Sequence, residues 1–374
     1  MVRFIHASDL HLGRRFGNMP EDLRGRLREA RHTAIGKLAA CARQHDAALV
    51  LLAGDTFDTE TPTPAIRRQA IAEMGHSAPL RWVLLPGNHD SLQAAQLWNA
   101  LRDELPPNVI LATEPKGILV EPDALLLPAP CTTRRPGRDL TEWMSGAEAS
   151  EGAIRIGLAH GAIQSFSEDA IAADIIPPDR AARSGLDYLA LGDWHGTTEV
   201  NARTYYSGTP EPDRFKHDKP GQVLSVAISA RGAPPEITVV QTGTFMWQTL
   251  AVRFLSQENS TATLAGLLPH GPQRRQTLLR ILASGRTKLE ERTALSASVE
   301  QVSPEFAYLE LNDRDLSTDC EATDLDLIDR TGALREAANA LMVESVDENS
   351  SASDREISQA ALIRLFSYCQ KVSR

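Results

Sequence analysis

Five apolar runs in this chain each stop at residues able to do chemistry. Residues 80–85 give way to Pro86-Gly87-Asn88-His89-Asp90. Pro and Gly end an extended run and let the backbone turn sharply. Asn88 offers a neutral oxygen to a hard cation, His89 exchanges a proton near neutral pH, and Asp90 is placed to hold that imidazole in one orientation. Residues 3–7 lead to Asp9-Leu10-His11, residues 47–53 to Gly54-Asp55, residues 154–159 to His160, and residues 187–191 to Asp193-Trp194-His195. In Asp9-Leu10-His11 and Asp193-Trp194-His195 the outer side chains face one way if the backbone stays extended. Taken singly, such a pair is more often a helix cap or a loop salt bridge. Repetition decides otherwise. Residues of one kind at five strand ends fit a single site along the C-terminal edge of a sheet, where open α/β sheets bind ligands. Three carboxylates, several imidazoles and one amide suit two adjacent divalent ions such as Mn²⁺. Two ions about 3.5–4 Å apart activate a water and clamp an in-line phosphoryl displacement. No Ser-His-Asp pattern, phosphate-cradling Gly loop or dinucleotide fingerprint competes.

The elements between these stretches alternate. Residues 21–45 carry Leu23, Leu27, Ala30, Ala34, Leu38 and Cys41 at steps of three and four, the spacing of an amphipathic helix. Residues 47–53 are apolar throughout, as in a strand buried on both faces. Residues 65–74 read as a second helix, so the first ninety residues run strand, helix, strand, helix, strand. Residues 91–105 are expected to be helical, 109–130 to hold short strands, and 132–152 to form a polar loop. A compact cationic segment holds Arg214, Lys216, His217 and Lys219, and strands are expected at 222–229 and 236–242. A boundary falls near 243–245, beyond which the strand-end acids and imidazoles stop. There the pattern predicts strands at 247–255, 276–282 and 306–311, helices at 259–268 and 286–300, and two further helices at 323–343 and 354–370.

At 374 residues, two or three domains are expected, and 42% hydrophobic content suffices for a sizeable core. A formal charge of -10 argues against coating nucleic acid by bulk charge, though not against a local basic groove. Cys41, Cys131, Cys320 and Cys369 are scattered without metal-ligand spacing, as in a reduced, cytoplasmic protein. No apolar run approaches a membrane span and no signal-peptide pattern opens the chain, so no membrane association is expected.

The blocks Asp9-Leu10-His11, Gly54-Asp55, Gly87-Asn88-His89-Asp90, His160 and Gly192-Asp193-Trp194-His195 resemble the calcineurin-like metallophosphoesterases. Within that family, the stretches 8–13 and 54–59 resemble the SbcD-type DNA repair nucleases, and Tyr206-Ser207-Gly208-Thr209-Pro210 resembles a turn under their site. The resemblance is strong over residues 1–245 and weak over 245–315. It implies an α/β fold: a four-layer sandwich of two mixed sheets flanked by helices, with a small α/β capping domain and C-terminal helices. The corresponding division is a nuclease domain at 1–244, a capping domain at 245–315 and a helical partner-docking segment at 316–374. Periodicity alone does not separate this fold from a doubly wound sheet.

Carried over by position, Asp9, His11, Asp55 and His195 would hold one ion, and Asp55, Asn88, His160 and Asp193 the other. His89 would protonate the leaving oxygen, steadied by Asp90, and no covalent enzyme intermediate is expected. Arg14, Arg214 and Lys216 are the expected substrate contacts. The resemblance further implies two Mn²⁺ per chain (Mg²⁺ as a substitute), DNA as substrate, a homodimer, and a coiled-coil ABC-type ATPase partner like SbcC. The activity implied is double-strand exonuclease and single-strand endonuclease. The bare site equally permits a small-molecule phosphodiesterase or phosphatase, and a third class is a non-catalytic scaffold. One departure stands out: the family usually has His where this chain has Asp193, a harder, anionic ligand that would hold its ion differently.

Overall fold

The strands that deliver the site residues feed two different cores. In β1 (Val2–Ala7), Phe4 packs into one apolar cluster while Ile5 and Ala7 pack into another. In β2 (Leu49–Leu52), Leu49 and Leu51 join Phe4, and Val50 and Leu52 join Ile5. The Ile5 side is covered by α1 (Glu21–Gln44), through Ile35 and Leu38, and by α2 (Pro64–His76), through Ala70 and Met74. The Phe4 side meets a second sheet, through Leu126, Leu158, Tyr188 and Ala190. That alternation settles the layering. A doubly wound sheet has helices on both faces, whereas here one face of each sheet packs on the other sheet.

The structure is a computed structural model that describes residues 1–163, 176–216, 219–319, 325–326, 328–329 and 331–372. It divides into two compact units, Met1–Trp247 and Gln248–Arg374. In the first, β3 (Arg81–Leu84), α3 (Ala95–Asp103) and β4 (Val109–Leu111) follow α2. Next come β5 (Ile118–Glu121), β6 (Ala124–Ala129), β7 (Ile154–His160), α4 (Arg180–Arg183), β8 (Tyr188–Gly192), β9 (Thr198–Asn201), β10 (Thr204–Tyr206), β11 (Gln222–Ile228) and β12 (Glu236–Gln241). One six-stranded sheet has the order β12-β11-β1-β2-β3-β4 and the other β5-β6-β7-β8-β10-β9. Both are mixed: β1 to β4 are parallel with β11 antiparallel to β1, and β6, β7, β8 and β10 are parallel between antiparallel β5 and β9. The outer face of the second sheet, including Leu127, Leu189 and Leu191, is covered by Met144, Ala181 and Leu186. His6 pins the two sheets together. Its Nδ1 lies 2.9 Å from the Tyr188 hydroxyl and its Nε2 3.2 Å from the Leu191 carbonyl, and burial pushes its pKa down to about 3.

The second unit is built on the sheet β13-β14-β15. Its order is β13 (Met246–Phe254), α5 (Ser260–Leu267), β14 (Thr277–Lys288), α6 (Leu289–Val302), β15 (Tyr308–Asp319), α7 (Ala333–Val346) and α8 (Ala352–Val372). The strands expected at 276–282 and 306–311 both run further, and the helix expected from 286 starts only at Leu289. The extensions are polar, and they pair in register from Ser284 opposite Asp315 to Lys288 opposite Asp319. Cross-strand pairing, invisible to apolar periodicity, carries them. β15 therefore crosses the 315/316 division expected above. Leu289, Leu325, Ile328, Ala338, Leu362 and Phe366 form a buried cluster, so α7 and α8 have a packed inner face. Part of the helix expected at 323–343 lies outside the described residues, as do His217 and Cys320. Among the described residues, no helix is long and apolar enough to cross a membrane.

Candidate metal centre

Past their last paired residues, β1 and β2 stay hydrogen-bonded. Asp9 N donates to Gly54 O (3.1 Å), His11 N to Asp55 O (3.0 Å) and Leu12 N to Thr56 O (2.9 Å). This side-by-side run brings Asp9, His11 and Asp55 to one edge. All three have left-handed backbone, with φ of 56°, 43° and 52°, and Asp193 has φ of 96°. Residues with a Cβ adopt such angles rarely, and when they do, functional sites are where they gather. On the second sheet, β7 and β8 pair His160 opposite Gly192, which sets His160 beside Asp193. Two glycines allow the loops to close. A Cβ on Gly192 would overlap the Ala53 carbonyl oxygen, and one on Gly87 would overlap the Asp55 backbone nitrogen.

The side chains converge accordingly. Asp9, His11 and His195 offer ligand atoms within 4.8 Å of one another, and so do Asp9, Asp55 and His160. His11 Nε2 and His195 Nε2 are 3.3 Å apart, and each is 3.8 Å from Asp9 Oδ1. His160 Nε2 lies 3.5 Å from Asp55 Oδ2 and 3.8 Å from Asp193 Oδ1. Asn88 Nδ2 donates to Asp193 Oδ1 at 2.8 Å, and Asp193 N donates to Asp9 Oδ2 at 3.1 Å. Asp9, His11, Asp55 and His160 are buried, whereas the Asp193 side chain is 32% exposed. Asp9 Oδ1 is buried without a hydrogen-bond partner, an arrangement that is costly unless a cation meets it.

The electrostatics fit that donor set. Burial works to raise the Asp55 pKa, but His160, then His11 and His89, hold it below the ordinary carboxylate range. Burial likewise opposes charge on His160, yet Asp55 and Asp9 hold its pKa well above the ordinary imidazole value. Burial lowers the His11 pKa against the pull of Asp58, Asp55 and Asp9. Positive charge is thus favoured among these buried carboxylates, and a divalent ion would supply it. Cys131, whose Sγ is 3.4 Å from the His160 carbonyl, is pushed by burial up to about 12 and stays a thiol.

The role expected of Asp90 needs correcting. Asp90 does not steady His89. It is fully buried, with Oδ1 accepting from Gly87 N (2.7 Å) and Oδ2 from Phe57 N (3.0 Å), so it ties the 54–58 loop to the 87–90 loop. Burial and the Asp55 charge push its pKa up to about 7. The backbone of Pro86 and Gly87 turns its carboxylate inward, while the His89 ring goes to the Asp58 carbonyl (Nδ1, 3.0 Å) and His89 N to Asp55 Oδ1 (2.8 Å). Arg14 and Arg214 lie at the site and pair with its carboxylates: Arg14 meets Asp58 at 3.2 Å and Asp213 at 3.0 Å, and Arg214 meets Asp213 at 2.9 Å. Lys216 lies over the Trp194 ring at 5.7 Å.

Three residues that motif reading left without a role support the site. Asp58 Oδ1 lies 3.4 Å from His11 Nδ1, and Asp213 Oδ1 lies 3.3 Å from His195 Nδ1. Arg31, buried on α1, donates to the Leu10 carbonyl and lies 3.3 Å from Asp213. Its position between Leu27 and Ile35 on the buried stripe was the one signal available for it, since a charge there needs a partner. The turn after β10 holds the edge from below: Thr209 Oγ1 donates to Asp9 O (2.9 Å), Thr209 N to His195 O (3.0 Å), and Ser8 Oγ lies 3.0 Å from Ser207 Oγ.

Two mixed sheets packed face to face, with acids and imidazoles converging at one edge, define the architecture of a metal-dependent phosphoesterase. Residues 2–197 match the Calcineurin-like phosphoesterase family, and the chain belongs to it. Over 95 residues it is 33% identical to the D component of Nuclease SbcCD from Escherichia coli (strain K12), and equally to that from Escherichia coli O157:H7. The matched region takes in 24% of this chain and spans only 22% of the length of each relative. One solved crystal structure aligns with 64% of this chain and 98% of its own, with a TM-score of 0.39 and 10% identity.

Proposed function

We propose that this chain is a two-metal DNA nuclease of the SbcD type, acting with a partner protein that the family resemblance casts as a coiled-coil ATPase. The observation that carries the metal reading is the pair His11 and His195. Each turns Nδ1 toward a carboxylate, Asp58 or Asp213, which favours a proton there. Both Nε2 atoms are then unprotonated acceptors, 3.3 Å apart and facing the unpartnered Asp9 Oδ1. Converging lone pairs of this kind call for a cation. Arg214 Nη2, which can only donate, lies 3.5 Å from His195 Nε2 and fits the same tautomer.

On this reading Asp9, His11, Asp55 and His195 hold one ion, and Asp55, Asn88, His160 and Asp193 the other. Such a pair supplies positive charge that acidifies a water and neutralises developing charge on a phosphoryl group. The protein's own part is to place and shield. His89, donating through Nδ1 to the Asp58 carbonyl, keeps its other nitrogen for the proton that the leaving oxygen takes up. Arg214 and Lys216, near His195 and over Trp194, offer cations to a polyanionic strand. With a net charge of -10 on the chain, tight DNA binding is assigned to the assembled complex, a homodimer with its ATPase. The exposed Val343, Val346, Ile357 and Tyr368 on the outer sides of α7 and α8 favour partner docking there.

Labelled duplex DNA, single-stranded DNA and a chromogenic phosphodiester, each with purified protein and Mn²⁺, test the reading. Cleavage of both DNA forms is expected. Hydrolysis of the chromogenic ester with neither DNA cut would assign the site to small molecules instead.

A further inference from the structure

Arg14 joins the two carboxylates that stand behind His11 and His195. Its Nη1 is 3.2 Å from Asp58 Oδ1 and its Nε 3.0 Å from Asp213 Oδ2. Asp58 Oδ1 is in turn 3.4 Å from His11 Nδ1, and Asp213 Oδ1 is 3.3 Å from His195 Nδ1. One guanidinium thus spans two carboxylate–imidazole pairs whose imidazoles are 184 residues apart in the chain. The planar fork of Arg fixes direction as well as charge, which a lysine ammonium does not. The brace is anchored at its far end. Asp213 is buried, and Arg31 at 3.3 Å and Arg214 at 2.9 Å engage it too. Arg14 itself is only 27% exposed, with its guanidinium 5.9 Å from the Phe16 ring centre.

We propose that Arg14 is a positioning residue that sets both imidazole tautomers before an ion arrives, rather than a substrate contact. Its Nη1 and Nε are the atoms turned to Asp58 and Asp213, the contacts that a brace between the two carboxylates requires. By holding Asp58 and Asp213 against the Nδ1 atoms, Arg14 keeps protons there and both Nε2 atoms unprotonated. Carboxylate partners of this type orient ligands and, when lost, typically weaken a metal about 10–100-fold. The inference rests on the reading that Asp9, His11 and His195 share an ion, but it also makes a claim about the ion-free protein.

Histidine-selective ¹⁵N NMR of the full-length, ion-free protein at pH 8 tests that claim, on the wild type, Arg14→Met and Arg14→Lys. Wild type should show His11 and His195 as Nδ1–H tautomers. Arg14→Met should shift both toward mixtures, with His160 unchanged because its Nδ1 faces the Ala53 carbonyl at 2.8 Å. Arg14→Lys, able to meet one carboxylate at a time, should fall between. Calorimetric titration with Mn²⁺ should then show one ion weakened about 10–100-fold in Arg14→Met and the other unaffected. Unchanged tautomers and ion affinities, with only the KM for DNA raised, would overturn the proposal and make Arg14 a substrate contact. A tautomer shift in Arg14→Met, with no Mn²⁺ bound by the wild type, would uphold the brace and defeat the two-metal reading.

Discussion

The two halves of the site are held by different means. His11 and His195 lean on side chains, Asp58 and Asp213, which Arg14 ties together while Arg31 backs Asp213. In the other half, His160 and Asp55 lean on main chain. His160 Nδ1 meets the Ala53 carbonyl at 2.8 Å, and Asp55 Oδ1 is met by the His89 amide at 2.8 Å. Asp55 belongs to both halves. The difference teaches where each half is open to change. A side-chain brace can be removed one group at a time, leaving the loops in place. Main-chain support follows from the course of two loops and yields only when those loops move.

The sharpest way to break this comparison is through His89, which serves neither half as a proposed ligand. His89→Gln should cut turnover on DNA about 10²–10⁴-fold, the usual range for a lost general acid. Both Mn²⁺ ions should still bind by calorimetry. Loss of an ion would instead place His89 in the coordination, with His11 and Asp58 beside it.

A smaller effect is expected from Asp90, a side chain that helps tie the two loops of the main-chain half. Asp90→Asn replaces an acceptor oxygen with an amide, so either Gly87 N or Phe57 N loses its buried partner. A loss of about 1–3 kcal/mol in chemical denaturation is expected, the range for one unpaired buried donor. Unchanged stability together with a collapse of turnover would return Asp90 to the catalytic role that the motif suggested.

The legible part of the site was the set of residues that end apolar runs. Asp9, His11, Asp55, Asn88, His160, Asp193 and His195 do converge, because parallel strands deliver their C-terminal ends to one edge. The supports were not legible for physical reasons. Asp213 sits in a loop with no periodicity, and its meaning comes from Arg14 and Arg31, which are far away in the chain. Asp90 follows His89 directly, so adjacency suggested a pair that the turn at Gly87 prevents. The left-handed φ values at Asp9, His11, Asp55 and Asp193 leave no trace in residue type beyond the tolerance of Asp for that region. The family resemblance implied the two packed sheets that the structure shows, whereas periodicity alone gave only a set of buried strands. Which face met a helix and which met a sheet depended on tertiary partners such as Tyr188 and Ala190. In the second unit, the mostly polar extensions of β14 and β15 escaped because strand pairing, which leaves no apolar period, carries them.

The central claim is that two differently supported halves each hold an ion, with Asp55 between them. Anomalous diffraction at the manganese edge, from crystals of wild type and of Asp193→Asn grown with Mn²⁺, tests it most directly. Wild type should show two peaks, one among Asp9, His11, Asp55 and His195 and one among Asp55, Asn88, His160 and Asp193. Asp193→Asn should weaken or lose only the second peak, since an anionic oxygen has become a neutral amide. A single wild-type peak, or both peaks unchanged in Asp193→Asn, would contradict the account.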